Sequence, residues 1–460
     1  MDEEIVFGDR MIPVSLPDRT RFVPQGLSTS LPPVADLRAA LQEALRRPLD
    51  LPPLRELARP GWKVTVAFDD PTVPCYGPVW EPAIRSVLEE LEHAGVKKRD
   101  VTLLCANALH RKFTRGELGK VIGKELVQEF GYRLLCHDAE DRENLSFLGL
   151  TRSGYDVEVN RRVTDSDLTV YINTVVWRGF TGGWKSICVG LSTYRSIRWH
   201  HSPDGMSMSI VGNQMHAMLD EMGELIEEKI GKGRIFKIET ALANPIQVAR
   251  IWAGSVGETR RAALEMLKHQ YPPRRELAKE KADLIVYGIP DWSPYASFSI
   301  MNPLLTLVSS GLGYLGGVIE ALGKPGCSVI LATPCPNQWD DLHHPSYREV
   351  WNQVLSRSRD PYEIRDFYEE DFAHRPDYLY KYRFGYGFHP IHGIMATYPL
   401  KRLRHAARVF VAGATDPSLV THLGFEPKES VEEAIAAAEK IHGKDSSILF
   451  IRNPLAGNRQ

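Results

Sequence analysis

The sequence predicts two α/β domains with mostly parallel sheets and an active-site cleft between them. Three observations carry this. At 460 residues the chain is too long for one hydrophobic core. Compact apolar runs alternate with longer helical patterns, as in a sheet with helices on its faces. A second series of the same kind follows the proline pair Pro272–Pro273.

In the first series WKVTVAF from Trp62, DVTLLCA from Asp100, YRLLCH from Tyr132 and DLTVYINTVV from Asp167 read as buried strands. EPAIRSVLEELEHAG places Ile84, Val87, Leu88 and Leu91 at helical spacing and stops at Gly95; RGELGKVIGKELVQEFG does the same and ends at Gly131. The second series holds ADLIVYG, CSVILAT, ARVFVAG and SSILFI, with helices such as SVEEAIAAAEKIHG between them. The polar stretch from Arg274 to Lys281 marks the boundary. Residues 1–273 are read as an N-terminal α/β domain and 274–460 as a C-terminal α/β domain that closes the cleft. From about Arg357 to His389 the sequence is read as irregular and rich in Tyr, Phe, Arg and Asp. Loops of that length serve as lids or oligomer contacts, which leaves homo-oligomerisation open.

Hydrophobic residues make up 43% and charged residues 25%, as in an average globular protein, and a net charge of −2 excludes a nucleic-acid partner held by bulk electrostatics. No apolar run reaches the roughly 20 residues that span a bilayer. The start, MDEEIVFGDR, has no signal-peptide pattern. Cys75, Cys105, Cys136, Cys188, Cys327 and Cys335 are scattered and fit neither a zinc site nor a disulfide framework. The expected location is cytoplasmic, with no membrane partner.

The chemistry concentrates at strand ends. Asp70, in FDDPTVP, and His110, in CANALHRKFT, each follow a predicted strand, where open α/β sheets place their ligand crevice. His110 is a candidate general base because imidazole titrates near working pH, or else a polar loop residue. Asp70 alone also reads as a turn former before proline. FTGGWKSICVGLSTYRSIRWHHSP begins at Phe180 and follows another strand. Gly182 and Gly183 allow close backbone approach, and Lys185 adds a charge. Alone, this is either a phosphate cradle or a turn with a solvated lysine. His200 and His201 are adjacent, so at most one of them faces a metal.

Taken in this order, the segments resemble the nickel-dependent lactate racemase family. Its Asp-x-Thr-Arg-Pro turn corresponds to DPTVP from Asp70, its Gly-x-His-Arg turn to ALHR ending at Arg111, and its Gly-Gly-x-Lys loop to GGWK from Gly182. The family's histidine sixteen residues after the lysine corresponds to His201. GNQMH from Gly212, YGFHPIHG from Tyr386 and LGFEPKESVEEAIAAA extend the likeness over nearly the whole chain.

The resemblance implies a nickel-pincer nucleotide, a pyridinium-3-thioamide-5-thiocarboxylate mononucleotide, tethered to Lys185 as a thioamide. Thr181, Gly182 and Gly183 would line it, and His201 would be the fourth Ni(II) ligand. His200 would orient that ligand or line the pocket. Soft sulfur donors with one imidazole suit Ni(II) in a planar site. The implied reaction is racemisation or epimerisation of a 2-hydroxy acid by hydride transfer to the cofactor, with His110 as acid/base; the alternatives are a one-sided redox enzyme using the same cofactor and a non-catalytic cofactor- or nucleotide-binding protein of the same fold. The implied partners are the hydroxy-acid substrate and the enzymes that make the cofactor.

Three positions depart from the family pattern. The second catalytic histidine is Val175, the turn arginine is Val73, and the Tyr-Gln-x-x-Lys segment aligns with Tyr295-Ala296-Ser297-Phe298-Ser299. Each missing charge-assisted carboxylate contact costs ~1.5–3 kcal/mol, which argues against lactate and for a larger, aromatic or sugar-type acid. Candidate replacement groups are Trp177, Arg178, His200, Tyr295, Ser299 and His389, with His392 beside them; Arg195 and Arg198 are less well placed.

Overall fold

The computed structural model describes residues 1–23, 31–73, 79–176, 179–206, 213–244, 246–270 and 280–452. The chain forms two compact units. The first comprises Ser30–Gln270 and Leu379–His389, and the second Met1–Thr29, Tyr271–Tyr378 and Pro390–Gln460. The second unit therefore contains both chain ends, where the sequence pattern suggested one division after residue 273.

The chain starts in the second unit with a hairpin, β1 (Asp2–Phe7) against β2 (Arg10–Ser15), and then β3 (Arg21–Val23). In the first unit follow β4 (Val64–Asp69), β5 (Val101–Ala106), β6 (Leu134–Cys136), the hairpin β7 (Leu145–Leu150) and β8 (Asp156–Asn160), then β9 (Leu168–Val175), β10 (Ile235–Asn244) and β11 (Gln247–Gly254). The main sheet runs β11-β10-β9-β4-β5-β6, and only β11 is antiparallel to its neighbour. All residues of β4 and β9 are buried, as expected for central parallel strands covered on both faces. The core gathers Phe68, Trp80, Ile84, Val87, Leu103 and Phe236. Asp69, Ala106, Cys136 and Val175 end parallel strands on one edge of this sheet, so the loops that follow share that edge.

The chain returns to the second unit with β12 (Ala282–Gly288), β13 (Gly323–Ala332), β14 (Ala406–Ala412), β15 (Glu426–Lys428) and β16 (Ile448–Ile451), in the order β15-β14-β13-β12-β16-β3. Every pairing is parallel. The pairing of β3 with β16 draws the N-terminal residues into this unit.

Two further expectations are corrected. The run from Arg115 to Phe130 is two helices broken at Gly123, whose φ of 86° lies in the left-handed region and where a Cβ would stand 2.6 Å from the Glu81 carboxylate. The stretch read as irregular between Arg357 and His389 is mostly helical, with helices Pro361–Ala373 and Pro376–Phe384. Asp360 caps the first by accepting from the Tyr362 amide, and Pro361 occupies its first turn; the aromatic content hid this start signal. One helical run, Leu304–Leu322, is 19 residues long and apolar enough to cross a membrane by length and composition, but 67% of its apolar window is buried in the protein. Cys105, Cys136, Cys188, Cys327 and Cys335 are free thiols.

Candidate active site

The turn after β4 brings Asp70 and His110 together. Asp70 is buried, and its Oδ2 lies 2.9 Å from His110 Nδ1. Thr72 Oγ1 donates to Asp70 Oδ1 at 2.6 Å and lies 3.2 Å from the same ring nitrogen. A carboxylate at Nδ1 selects the tautomer with the proton on Nδ1 and leaves Nε2 as the basic atom. The His110 side chain retains 20% exposure. Its turn is tight: Ala108 has φ 48°, the His110 amide donates to the Asn107 carbonyl at 2.6 Å, and the Ala108 amide donates to Gly190 O at 2.9 Å. A non-glycine residue in the left-handed region stores strain that surrounding contacts must hold.

Residues Leu379–His389, which rejoin the first unit, supply those contacts. Tyr382 Oη donates to Ala108 O at 3.3 Å, the His389 amide donates to Leu109 O at 3.0 Å, and the Phe388 ring lies 5.5 Å from the His110 ring. Lys112 Nζ donates to the Arg383 carbonyl at 2.6 Å. His389 was expected from the C-terminal domain; it belongs to the same unit as His110, fully buried, with Nε2 3.2 Å from Glu140 Oε1.

The loop after β9 is held from beneath by buried charges that no motif announced. Arg260 donates to the carbonyls of Thr181 and Gly179 at 2.8 and 2.7 Å, and Lys237 donates to Gly183 O at 3.2 Å and to Ser186 Oγ. The Gly183 amide donates to Glu239. The Gly183 amide of this loop therefore faces a protein carboxylate. Glycine is required here: Gly182 has φ 96°, and a Cβ would stand 2.5 Å from Glu239 Oε1 and 3.0 Å from Val175 Cγ2. Thr181 Oγ1 donates to Thr174 O at 2.6 Å and accepts from the Val176 amide at 2.8 Å, so its hydroxyl closes the loop. Lys237 and Glu239 did leave a signal, since two charges two positions apart in IFKIETALAN share one face of a buried strand.

Lys185 opens a short helix, Lys185–Cys188, and its Nζ lies 3.5 Å from the centre of the Phe180 ring. His216 Nε2, 3.1 Å from the Phe180 carbonyl, holds that residue in place. Burial pushes the Lys185 pKa down to about 7 although Asp69 and Asp70 pull the other way. Some of its surface remains accessible. Burial pushes Asp69 up to about 7, opposed by Lys237, the Thr174 amide at 3.2 Å and the Tyr171 hydroxyl at 3.0 Å.

His201 caps helix Tyr194–His200 and is partly accessible; His200 is fully buried. Their Nδ1 atoms are 2.7 Å apart. Burial, and then the Lys185 charge, lower the His200 pKa to about 3, so its ring is neutral. Among the described residues no three His, Cys, Asp or Glu side chains converge to hold a metal by themselves.

The other expected residues lie elsewhere. Arg195 is paired with Asp156 at 2.7 Å. Tyr295 and Ser299 belong to the second unit. Tyr295 meets the His392 ring edge-on at 4.4 Å and accepts at its carbonyl from His344, while Ser299 Oγ donates to Asp340 at 2.5 Å. Val175 is buried at the end of β9. Trp177 and Arg178 lie outside the described residues.

A mostly parallel sheet whose strand-end loops carry Asp70, His110 and Lys185 is the arrangement in which α/β folds place their ligand crevice. Residues 7–210 match the lactate racemase N-terminal domain family. The lactate racemase of Thermoanaerobacterium thermosaccharolyticum is 27% identical over 202 residues, 43% of this chain and 46% of that protein. That of Lactiplantibacillus plantarum is 25% identical over 204 residues, 44% and 45% respectively. These matches span about half the length of the curated relatives, and YGFHPIHG and the C-terminal segment lie beyond the family match. The fold likeness is wider. The lactate racemase apoprotein of T. thermosaccharolyticum superposes with a TM-score of 0.70 at 19% identity over 99% of both chains, and a Thermotoga maritima protein with 0.52 at 15% over 90% and 94%. Over residues 7–210 the chain is similar to the lactate racemase N-terminal domain family, and along nearly its whole length it shares the fold of the lactate racemase apoprotein.

Proposed function

We propose that this chain is a nickel-dependent racemase or epimerase of a 2-hydroxy acid larger than lactate, of aromatic or sugar-acid type, acting in the cytoplasm. The observation that carries the reading is the Asp70–His110 pair at 2.9 Å, in the same unit as a lysine whose amine is half neutral near pH 7. His110 would take the substrate hydroxyl proton at Nε2 and return it, while Asp70 fixes the tautomer through Nδ1.

The residues present fit a lysine-tethered nickel-pincer nucleotide. A neutral amine is the nucleophilic form that an acyl-type linkage needs. The two glycines keep side chains away from the loop, and His201 offers one accessible imidazole. Lys185 would hold the group, Gly182 and Gly183 would flank it and His201 would complete the nickel's ligands. When bound, the group supplies a hydride acceptor. The cofactor-synthesis enzymes are the implied partners. Val175 and Val73 leave apolar surface where a small carboxylate would need charge, which favours a differently held acid.

The test is co-expression with the cofactor-synthesis enzymes, followed by intact mass, nickel content and a panel of 2-hydroxy and sugar acids. A mass increase on Lys185, one nickel per chain removed by His201→Ala, and turnover of a larger acid lost in His110→Asn are expected. Lactate as best substrate would remove the substrate assignment. An unmodified Lys185 beside a normally loaded lactate racemase control would remove the cofactor. The valine at position 175 favours one second reading, a one-sided redox enzyme with the same cofactor, which would release a keto acid instead of the opposite stereoisomer.

A further inference from the structure

Two neighbouring strands at one edge of the first unit's sheet carry cysteines at matched positions. β6 is the edge strand, only three residues long, and it pairs in parallel with β5 so that Cys105 stands opposite Cys136. Residues paired in this way share one face of the sheet, and Cys136 packs against the hydrophobic cluster that contains Cys105. Adjacent strands lie ~4.8 Å apart, within the roughly 4.4–6.8 Å between Cα atoms that a disulfide spans. Side chains leaving parallel strands keep about the same spacing at Cβ, whereas a relaxed disulfide has about 3.8 Å there. A bond between the two sulfurs would therefore draw the short edge strand inward, and disulfides closed against such a pull are the readily reduced ones.

The two thiols differ in access. Cys105 is fully buried and Cys136 is partly accessible, so a dissolved reagent meets Cys136 first. A hydrogen bond from the Cys105 thiol lowers the Cys136 pKa, while burial raises that of Cys105. The turn that carries His110 is fastened to both positions. Cys136 Sγ donates to the Phe113 carbonyl at 3.8 Å, and the His137 amide donates to the Cys105 carbonyl at 3.0 Å. Asn107 Nδ2 donates to the carbonyls of His110 and His137, at 3.1 and 3.0 Å. A sulfur in a disulfide carries no proton, so oxidation removes the bond to Phe113.

We propose that Cys105 and Cys136 form a reversible dithiol–disulfide site for small-molecule disulfides, and that closing it loosens the turn that carries His110. The Cys136 thiolate attacks the small disulfide, one small thiol leaves, and a mixed disulfide remains on Cys136. The Cys105 sulfur, losing its proton, then attacks the Cys136 sulfur and expels the second small thiol. The protein gives up two electrons and two protons, and the small disulfide takes them to become two thiols. An effect on turnover rests on the reading of His110 as acid/base; the bond and the loosened turn do not.

Apoprotein would be incubated with glutathione disulfide, quenched with an alkylating reagent and mapped by peptide mass. A Cys105–Cys136 linkage that dithiothreitol opens is expected, with Cys188, Cys327 and Cys335 still alkylated. Cys105→Ala should stop at a glutathione adduct on Cys136, and Cys136→Ala should form neither product. Amide hydrogen exchange over residues 108–113 should accelerate about 2–10-fold on oxidation, the size of one lost hydrogen bond, and return on reduction. Cys136→Ser, whose hydroxyl can still donate to the Phe113 carbonyl, should exchange as reduced wild type does with or without glutathione disulfide, which guards against a folding defect. A wild-type adduct on Cys136 that never resolves, or a linkage that forms only in denaturant, overturns the site. Unchanged exchange in the linked protein overturns its connection to the turn. None of these readouts uses nickel or turnover, so a failure of the proposed function leaves them intact.

Discussion

The amine of Lys185 should react at neutral pH, and the effect can be sized. With a pKa of about 7, half of it is neutral at pH 7. A lysine at the usual 10.5 is neutral in only about 3 of 10,000 molecules, so the reactive fraction differs by about 1,600-fold. Apoprotein would be treated with an amine-reactive reagent from pH 5.5 to 10.5 and labelling at Lys185 followed by peptide mass. The midpoint is the diagnostic quantity, because partial burial slows the absolute rate. It should fall near pH 7, well below the ordinary lysine value of 10.5. Asp69→Asn removes the carboxylate whose charge most strongly favours the ammonium form, so the midpoint should move lower still. A midpoint near 10, or an upward move in Asp69→Asn, would refute the argument that burial controls this amine.

Three further outcomes are expected. Asp70→Asn should lower turnover by about 10²–10⁴-fold while nickel content stays unchanged, because His110 loses the carboxylate that fixes its tautomer; rate and metal assays on one preparation check this. Gly182→Ala should lower the melting temperature and reduce Lys185 loading, since the new Cβ meets Glu239 at 2.5 Å in a left-handed backbone. His137, buried with Nε2 bonded to the Ser192 carbonyl, has its pKa lowered by burial to about 4. Between pH 4 and 6.5 the unfolded chain binds the proton that the folded chain refuses, so this group's contribution to stability rises with pH through that window. The stability advantage of wild type over His137→Gln should therefore shrink by about 2 kcal/mol between pH 6.5 and 5, measured by urea unfolding.

The parts of the fold that obey local periodicity were readable from sequence. VTVAFD, VTLLCA and LTVYINTV became central strands because continuous apolar runs suit a sheet buried on both faces. Asp70, His110, Lys185 and His201 stood out by residue type at strand and helix ends. The rest depended on partners distant in the chain. Nothing in RFV indicates pairing with residues 448–451. Nothing in the residues around His389 indicates that they return to the loop carrying His110. Lys237, Glu239 and Arg260 escaped notice because buried charges inside a strand and a helix resemble ordinary surface charges until the sheet register is known.

The discontinuity of the first unit bears on how the protein comes into being. A fragment ending at residue 270 would contain Asp70, His110, Lys185 and His201, yet it would lack Tyr382, Phe388 and His389, which brace the strained turn at Ala108. The second unit must likewise hold β3 in waiting until residues 448–451 have been made. During synthesis, Asp70, His110, Lys185 and His201 have thus been added long before the residues that set His110 in place. A nascent chain that has not yet reached residue 389 should therefore carry His110 on an unbraced turn.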